Sequence, residues 1–362
     1  MIDFRYHLVS LVSVFIALAV GILLGAGPLQ QPLEQGVSLT LQQQVEALRA
    51  DRQQLRDQLD SSQAGVSHRD EVITELGPQV VAGRLPGRSV VLVVLPDAAT
   101  DRVGALTRTV EAAGGTVVGR LEIEDGWTDP AQAADREQLA TKLVAGLPAG
   151  SPVIAGAEGD PDAVLAGLLA RALVAPTAAA AGTPDPAAVA ILDGMREAGL
   201  VRVAGSLDSR AELAVVLAPG VESATVTATT SPSATASGTS GAPASPSQAP
   251  EDLSGAWNAL ALALALALDR ASSGTVVVGP GSSATSGGVV AAVRGDADLE
   301  GKVTTVDTGG TAMGDVTTVV GLAEQVSGRA GRYGFGAGAT APLPELAAVT
   351  AAAGTPSATA TP

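Results

Sequence analysis

Residues 88–97, RSVVLVVLPD, decide the fold class of this chain. The run from Val90 to Leu95 is apolar without interruption, so it has none of the alternation of a strand that faces water on one side. A continuous apolar run of this length predicts a strand that is buried on both faces. Such strands are typical of parallel sheets covered by helices on either side.

The segments around this strand repeat the same alternation of strand and helix. Further short apolar strands are predicted at residues 114–123, 200–205, 213–219, 274–280 and 302–307, and helices at residues 100–113, 133–146, 162–174 and 186–199. Strands that alternate with helices indicate an α/β layered domain with a mainly parallel sheet. This is the fold class we expect.

Composition limits the residue types that can build the core and the classes of partner that the chain can bind. Hydrophobic residues make up 46% of the chain but aromatic residues only 2%, so the core must be built from Ala, Val and Leu. The net charge of −16 disfavours a nucleic-acid partner and attraction to an anionic membrane surface. The chain has no cysteine, which excludes disulfides, thiolate metal sites and cysteine nucleophiles.

An uncharged apolar run occupies residues 8–27. At about 1.5 Å per residue, a helix of this length spans a hydrocarbon core of about 30 Å. Arg5 precedes the run and no further Lys or Arg occurs before Arg49, so we expect a retained single-pass anchor with a cytoplasmic amino terminus and the bulk of the chain outside the cytoplasm. The alternative is a cleaved signal peptide, although Pro28 follows the small residues at 25–27 and disfavours cleavage there.

A heptad pattern follows the anchor over residues 31–77. Its frame has steps of four and three, through Leu41, Val45, Leu48, Arg52, Leu55, Leu59, Ser62, Val66, Arg69, Ile73 and Leu76. The pattern predicts a coiled-coil stalk that ends at Gly77 and Pro78, with a lone amphipathic helix as the alternative. Ala17, Gly21 and Gly25 add a small-residue face within the anchor. Together these two segments predict a homo-oligomer.

The remaining chain divides into four parts by composition. Residues 78–220 and 251–349 form the two portions of the α/β domain, and residues 221–250 and 350–362 are rich in Ser, Thr, Ala and Pro. We expect both of the latter segments to be disordered, because they cannot bury enough apolar surface to order themselves. Residues 257–270, WNALALALALALDR, predict a buried helix, since the apolar run is too short for a second membrane span.

Three segments carry a resemblance to a known family. The opening FRYHLVSLVSVFIALAVGILLG, the heptad segment and the late segment VTTVDTGGTAMGDVTTVVGLAEQVSGRAGRYGFG resemble the actinobacterial copper transporter MctB family, most closely in the first 30 residues and around Tyr333 and Gly334. The resemblance implies a membrane-anchored cell-envelope protein of copper homeostasis, with copper as the transported species and channel-like efflux or support of efflux as its role.

Local copper ligands are scarce in the sequence. Copper prefers thiolate, thioether or imidazole ligands, and the chain offers only Met1, Met195, Met313, His7 and His68, no two of which lie close enough in sequence to make a local site. We therefore leave the metal ligands unassigned. One membrane helix encloses no pore, so transport would require an oligomeric helix bundle or a supporting role beside another transporter.

Catalysis is not expected. The α/β portion contains no histidine, which removes Ser–His–Asp and histidine acid–base schemes, and we predict no catalytic residue and no resident cofactor. Glu122, Glu124 and Asp125 form an acidic group that could hold a hard cation or simply be a solvated loop. Trp127, Tyr333 and Phe335 are scarce aromatics, for which we expect packing or contact with a partner.

One glycine-rich loop fits a nucleotide-binding pattern. Gly279, Gly281 and Ala284 match G-x-G-x-x-A after a predicted strand, and Asp307 follows at the end of the next strand, in the place of a ribose-binding carboxylate. The other interpretation is a structural strand-to-helix connection. Three functions therefore remain open: copper efflux or its support, a non-enzymatic envelope scaffold that docks a partner protein, and a small-ligand or nucleotide sensor that uses this loop.

Overall fold

The computed structural model describes residues 4–25, 31–148, 159–183, 185–205, 207, 209–221 and 250–346. The predicted insertion at 221–250, apart from its two end residues, and the tail at 350–362 lie outside these residues. The chain divides into two compact units, Met1–Arg69 and Asp70–Pro362.

The described helices and strands follow in chain order. The helices are α1 (Phe4–Gly25), α2 (Gln31–Val81), α3 (Val103–Ala112), α4 (Ala133–Ala145), α5 (Pro161–Leu173), α6 (Ala178–Ala181), α7 (Pro186–Glu197), α8 (Pro250–Ala271), α9 (Val289–Gly295) and α10 (Ala312–Val326). The strands are β1 (Ser89–Val94), β2 (Thr116–Ile123), β3 (Val201–Ala204), β4 (Leu213–Leu217), β5 (Gly274–Val278), β6 (Thr304–Val306) and β7 (Arg332–Tyr333).

The second unit is built on one seven-stranded sheet with the order β3-β2-β1-β4-β5-β6-β7. All neighbouring strands are parallel except β2 and β3, which pair antiparallel at one edge. The predicted α/β class with a mainly parallel sheet is confirmed. The strand at 88–97 lies near the middle of the sheet, as its continuous apolar run requires.

Successive residues of each central strand enter different cores. Val91 and Val93 face a cluster that includes Leu169 of α5, and Val90 and Leu92 face a second cluster that includes Val319 of α10. Because side chains alternate along a strand, one apolar run supplies both layers. Val, Leu and Ala make up most of both clusters, as the composition predicts.

Helix starts follow local capping chemistry. Asp160 and Asp185 are each followed by a proline in the first helical position, and each carboxylate accepts a hydrogen bond from a backbone N–H in the first turn, 3.0 Å from Asp162 N and 3.0 Å from Ala187 N. These caps satisfy amides that a helix leaves free. The predicted helices at 162–174 and 186–199 therefore begin within one residue of where they were expected.

The helix over residues 257–270 is buried, as its short apolar run predicts. Leu264, Ala265 and Leu268 are fully buried in the same cluster as α5. In the residues that the structure describes, no helix is both long enough and apolar enough to cross a membrane, so the predicted single-pass anchor is not supported there.

Helix α2 continues past Pro78, which corrects the predicted end at Gly77 and Pro78. Gly77 is buried against Val316 of α10, so closely that a Cβ there would lie 3.0 Å from Val316 Cγ2, and Val81 is fully buried in the second cluster. Packing of this turn against the domain offsets the hydrogen bond that proline removes. The helix ends at Val81, and Gly83 adopts a positive φ of 70° just beyond it.

A polar cluster joins the end of α2 to α3 and α10. Asp70 Oδ1 accepts a hydrogen bond from Ala312 N at 3.2 Å, and Arg102 Nη2 lies 2.8 Å from Asp315 Oδ2. Burial raises the pKa of Asp315 above its ordinary value, and Arg102 offsets only part of that effect. These contacts hold α2 against the start of α10 within the second unit.

A cavity at the carboxyl edge of the sheet

The order in which the chain adds strands to the sheet reverses at β1. From β1 the chain continues through α3 to β2 on one side, and the later strand β4 pairs with β1 on the other side. Helix α3 packs on one face of the sheet and α8, which follows β4, packs on the opposite face. The connections therefore diverge beyond the carboxyl ends of β1 and β4, the place where open α/β sheets bind ligands.

A cavity of about 1100 Å³ occupies this place. Its walls come from the segments that follow β1, β4 and β5 and from the start of α8; the lining residues are Leu95, Pro96, Asp97, Pro219, Gly220, Val221, Gly255, Trp257, Asn258, Ser282, Ser286, Gly287, Gly288 and Val289. The volume is sufficient for a small organic ligand.

Asp97 is the charged residue on this wall. It has a φ of 59°, which makes it the one non-glycine residue with positive φ among those that the structure describes. The turn is closed by a hydrogen bond from Ala98 N to Leu95 O at 3.2 Å. Asp97 is exposed at the cavity, where its carboxylate can accept hydrogen bonds from a neutral or cationic group.

The opposite wall joins α8 to the glycine-rich loop after β5. The Asn258 side chain donates a hydrogen bond from Nδ2 to Gly287 O at 2.9 Å, which fixes the loop against the helix. The side chain of Trp257 is half-buried beside it, and Ser282 and Ser286 are exposed. This wall therefore offers hydroxyl groups and an aromatic ring.

The predicted nucleotide loop contributes to the cavity through other residues than those of its motif. A Cβ on Gly279 would lie 2.8 Å from Ser283 Cβ, and Gly279 O accepts a hydrogen bond from Gly309 N at 2.8 Å. Ala284 is buried, in a short 3-10 turn over Gly281–Ala284. Gly279 thus has no space for a side chain, and within the motif, residues 279–284, Ser282 is the residue that lines the cavity.

Asp307 lies in a buried ion pair. Its carboxylate is only 2% exposed and lies 2.8 Å from Arg294 Nη1, and it accepts hydrogen bonds from Phe335 N at 2.8 Å and Gly336 N at 2.9 Å. Both carboxylate oxygens therefore already have partners within the protein. In this arrangement Asp307 holds the loop after β7, residues 333–337, and is not exposed in the position of a ribose-binding group.

Arg294 completes the cluster around Asp307. Its guanidinium donates to Thr305 Oγ1 at 3.0 Å, Ala337 O at 2.8 Å and Tyr333 O at 2.9 Å in addition to the aspartate. The 333–337 loop is consequently fastened at both ends to one buried cation. We call Arg294, Asp307 and this loop the Arg294 cluster.

The scarce aromatics divide between core and surface. Trp127 is buried, and Tyr333 is buried with its hydroxyl donating to Glu324. Burial first, and then the Glu324 carboxylate, raise the pKa of Tyr333 well above its ordinary value. Phe335 is 75% exposed, although its backbone is held by Asp307. The expected packing therefore applies to Trp127 and Tyr333.

The possible copper ligands that the structure describes belong to different helices and differ in burial. His7 and His68 are exposed, Met195 is fully buried in the core and Met313 is half-buried on α10. No group of three His, Cys, Asp or Glu residues that could hold a metal ion occurs in the described residues.

The predicted acidic group is engaged with arginines. Glu122 pairs with Arg120 at 3.0 Å and with Arg202, and Glu124 pairs with Arg202 at 2.8 Å across β2 and β3. Both carboxylates lie at the antiparallel edge of the sheet. The arrangement disfavours a hard-cation site, because the arginines already neutralise these carboxylates. Glu122 belongs to β2, so the interpretation as a solvated loop does not apply to it.

Sequence reasoning missed Asp97, Trp257 and Asn258 as cavity residues. A Pro-Asp pair directly after a doubly buried strand was the available signal for Asp97, since ligands bind beyond the carboxyl ends of such strands. Nothing local could identify Trp257 and Asn258, which reach the cavity only because α8 packs beside β4 and the loop after β5.

Comparison with known proteins covers nearly the whole chain. The family described as "Copper transport outer membrane protein, MctB" matches residues 1–344. The chain is 29% identical to "Copper transporter MctB" from Mycobacterium tuberculosis and Mycobacterium bovis, over 94% of this chain and 98% of each relative, and 28% identical to the protein of the same name from Mycobacterium leprae, with the same coverage. The match includes both compact units. The resemblance seen in the sequence is thus confirmed, and the chain belongs to the MctB family.

Proposed function

We propose that this chain acts in copper homeostasis at the cell envelope, in copper efflux or in its support. The observation that carries the proposal is the extent of the family match, which runs through residues 1–344 and so includes both the helical unit and the α/β unit. The mycobacterial relatives named as copper transporters are matched over 98% of their length. The proposal gives the α/β unit no catalytic role.

The proposed location is a membrane of the envelope. The supporting features are the uncharged run at residues 8–27 and Arg5 before it. The proposed membrane is the one that borders the cytoplasm, because Arg5 favours a cytoplasmic amino terminus, whereas the description of the family names the outer membrane. The α/β unit is then outside the cytoplasm, where it can contact another protein of the envelope.

Copper content tests the proposal directly. In a deletion strain under copper load we expect copper per cell to rise severalfold, and the full chain to restore the level of the parent strain. A chain that ends at Arg69 lacks the α/β unit and should leave copper high. The measurement is copper per cell by mass spectrometry, with zinc in the same samples as the control for specificity and an immunoblot to match expression.

Two results would contradict the proposal. Equal copper in the deletion, parent and complemented strains would exclude a role in copper efflux. Equal rises in copper and zinc would show a general defect of the envelope instead. If the chain that ends at Arg69 restored the copper level of the parent strain, the copper function would stand, but the α/β unit would not be needed for it.

A second candidate function is ligand sensing by the α/β unit. The cavity beyond the carboxyl ends of β1 and β4 favours it. Asp97, Ser282 and Asn258 supply polar groups there, and Trp257 supplies a ring for stacking. Because Asp97 is the charged residue that lines this wall and would repel a phosphate, the first probe is a neutral nucleoside, adenosine. Adenosine at 100 times its dissociation constant would stabilise the fold by about 2.7 kcal/mol and raise the melting temperature by roughly 5–10 °C.

The matched control for this measurement is Ser286→Trp, since Ser286 is exposed on the cavity wall and the larger ring would obstruct part of the cavity. The variant should melt at the temperature of the parent without ligand and show a smaller shift with it. An unchanged melting temperature of the parent chain in saturating adenosine would contradict a nucleoside-sensing function of this cavity.

The scaffold function is supported by a separate surface. The apolar heptad positions of α2 are exposed along the first unit, where Leu48 and Leu55 are 67% and 65% exposed. An apolar seam of this kind is suited to pairing with another helix. A scaffold could support copper efflux by holding several copies, or a second protein, together.

A further inference from the structure

The exposed face of α2 has the spacing of a coiled-coil seam. Taking Val45 as an a position places Arg52, Leu59 and Val66 at the following a positions and Leu48 and Leu55 at d. The five apolar members are between 43% and 67% exposed. Since their spacing is 3.5 residues on average, they form one continuous stripe on an α-helix only if the helix supercoils around another.

The residue types on this stripe favour a coiled coil of two helices. Two of the four a residues from 45 to 66, Val45 and Val66, are β-branched, and leucine occupies two of the three d positions, Leu48 and Leu55, with Ser62 at the third. β-Branched residues at a with leucine at d are the combination that favours dimers over trimers and tetramers. Arg52, the charged residue at an a position, also acts against larger assemblies, because its guanidinium can reach water past the edge of a two-stranded seam. In register the two Arg52 side chains share one layer, at a cost in stability.

The charges that flank the stripe favour a parallel over an antiparallel pair of helices. Asp51 is at a g position and Arg56 at the next e position, and in a parallel in-register dimer the g residue of one copy faces this e residue of the other. The twofold axis makes two such attractive pairs. An antiparallel dimer that places Arg52 of one copy opposite Leu55 of the other would instead bring Arg49 of one copy near Arg56 of the other. Neither Asp51 nor Arg56 has an ion-pair partner among the described residues.

We propose that residues 45–66 pair with the same residues of a second copy of this chain in a parallel, in-register, two-stranded coiled coil, with Asp51 of each copy facing Arg56 of the other. The inference goes beyond the proposed copper function, because it specifies partner, strand number and direction. It also stands independently of copper, since it rests on the seam and its flanking charges alone.

Single cysteines test direction and register, and the chain is suited to this because it contains none. In the full chain, Leu48→Cys places a thiol at a d layer, where two parallel in-register copies bring the Cα atoms within disulfide distance. Ala50→Cys places one on the opposite side of the same helix and is the matched control. Under mild oxidation Leu48→Cys should form about tenfold more disulfide-linked dimer than Ala50→Cys.

The alternatives give different products in the same assay. A mixture of Arg52→Cys chains and Leu55→Cys chains would cross-link to each other in preference to themselves if the pairing were antiparallel, and this result would overturn the proposal. Equal cross-linking of Leu48→Cys and Ala50→Cys, or cross-linking of neither, would also overturn it.

Charge exchange provides a second test that does not depend on cysteine. Asp51→Arg and Arg56→Asp should each weaken dimerisation by about fivefold to tenfold, since both turn two attractive pairs into repulsive ones. The double variant restores opposite charges and should dimerise like the parent chain. Sedimentation equilibrium of the full chain gives the dissociation constants, and failure of the double variant to recover would overturn the assigned pair.

Discussion

Replacement of Arg294 by alanine should lower the free energy of unfolding of the α/β unit by about 3–5 kcal/mol, the range found when one member of a buried ion pair is removed. Arg294 and Asp307 are almost fully buried and lie 2.8 Å apart. Without the guanidinium, the Asp307 carboxylate would remain in the core with only two backbone N–H donors. The carbonyls of Tyr333 and Ala337 would also lose their donor.

Urea unfolding monitored by tryptophan fluorescence measures this loss, because both tryptophans, Trp127 and Trp257, lie in the α/β unit. The matched control is Arg196→Ala. Arg196 pairs with Asp193 at 2.9 Å, but their side chains are 56% and 52% exposed. This loss should stay below about 1 kcal/mol. Equal losses in the two variants would contradict the structural role assigned to the Arg294 cluster.

Alanine at Gly334 should destabilise the same unit by about 3–5 kcal/mol, from overpacking and backbone strain together. Gly334 has a φ of 124°, and a Cβ there would lie 1.9 Å from Asp307 Oδ1. The aspartate cannot move away without losing Arg294 and the amides of Phe335 and Gly336. The added methyl group therefore has no space unless the cluster opens.

Gly328→Ala separates the two contributions. Gly328 also has a positive φ, 75°, but no atom lies within 4 Å of a Cβ built there. This variant should cost only the strain of the left-handed backbone, about 1–2 kcal/mol. If both alanine variants lose the same free energy in urea unfolding, the close approach of Gly334 to Asp307 does not contribute.

Several features of the fold could be predicted from local sequence. The helix that starts at Pro161 follows from an Asp-Pro pair, in which the aspartate caps the helix and the proline fits its first turn. The buried helix of residues 257–270 follows from an apolar run too short for a membrane. These signals act over a few neighbouring residues, so the sequence alone displays them.

The candidate site could be predicted only in part. The glycine-rich loop was placed correctly after β5, but Asp307 forms a buried pair with Arg294, a residue with no local signal for that role. Asp97, on the cavity wall, follows a strand that was recognised, yet its position opposite Ser282 depends on the order of the strands. Strand order is a long-range property that apolar periodicity does not report.

Local sequence patterns account for the alternation of buried strands and helices, the Ala, Val and Leu composition of the core, the heptad seam and the resemblance to the MctB family. Long-range packing accounts for the antiparallel edge of β3, the continuation of α2 past Pro78, the burial of Asp307 against Arg294 and the cavity where the strand order reverses. The physical reason is the range of the forces involved: propensity, capping and periodicity act within a few residues, whereas burial, ion pairing and sheet order depend on residues far apart in the chain.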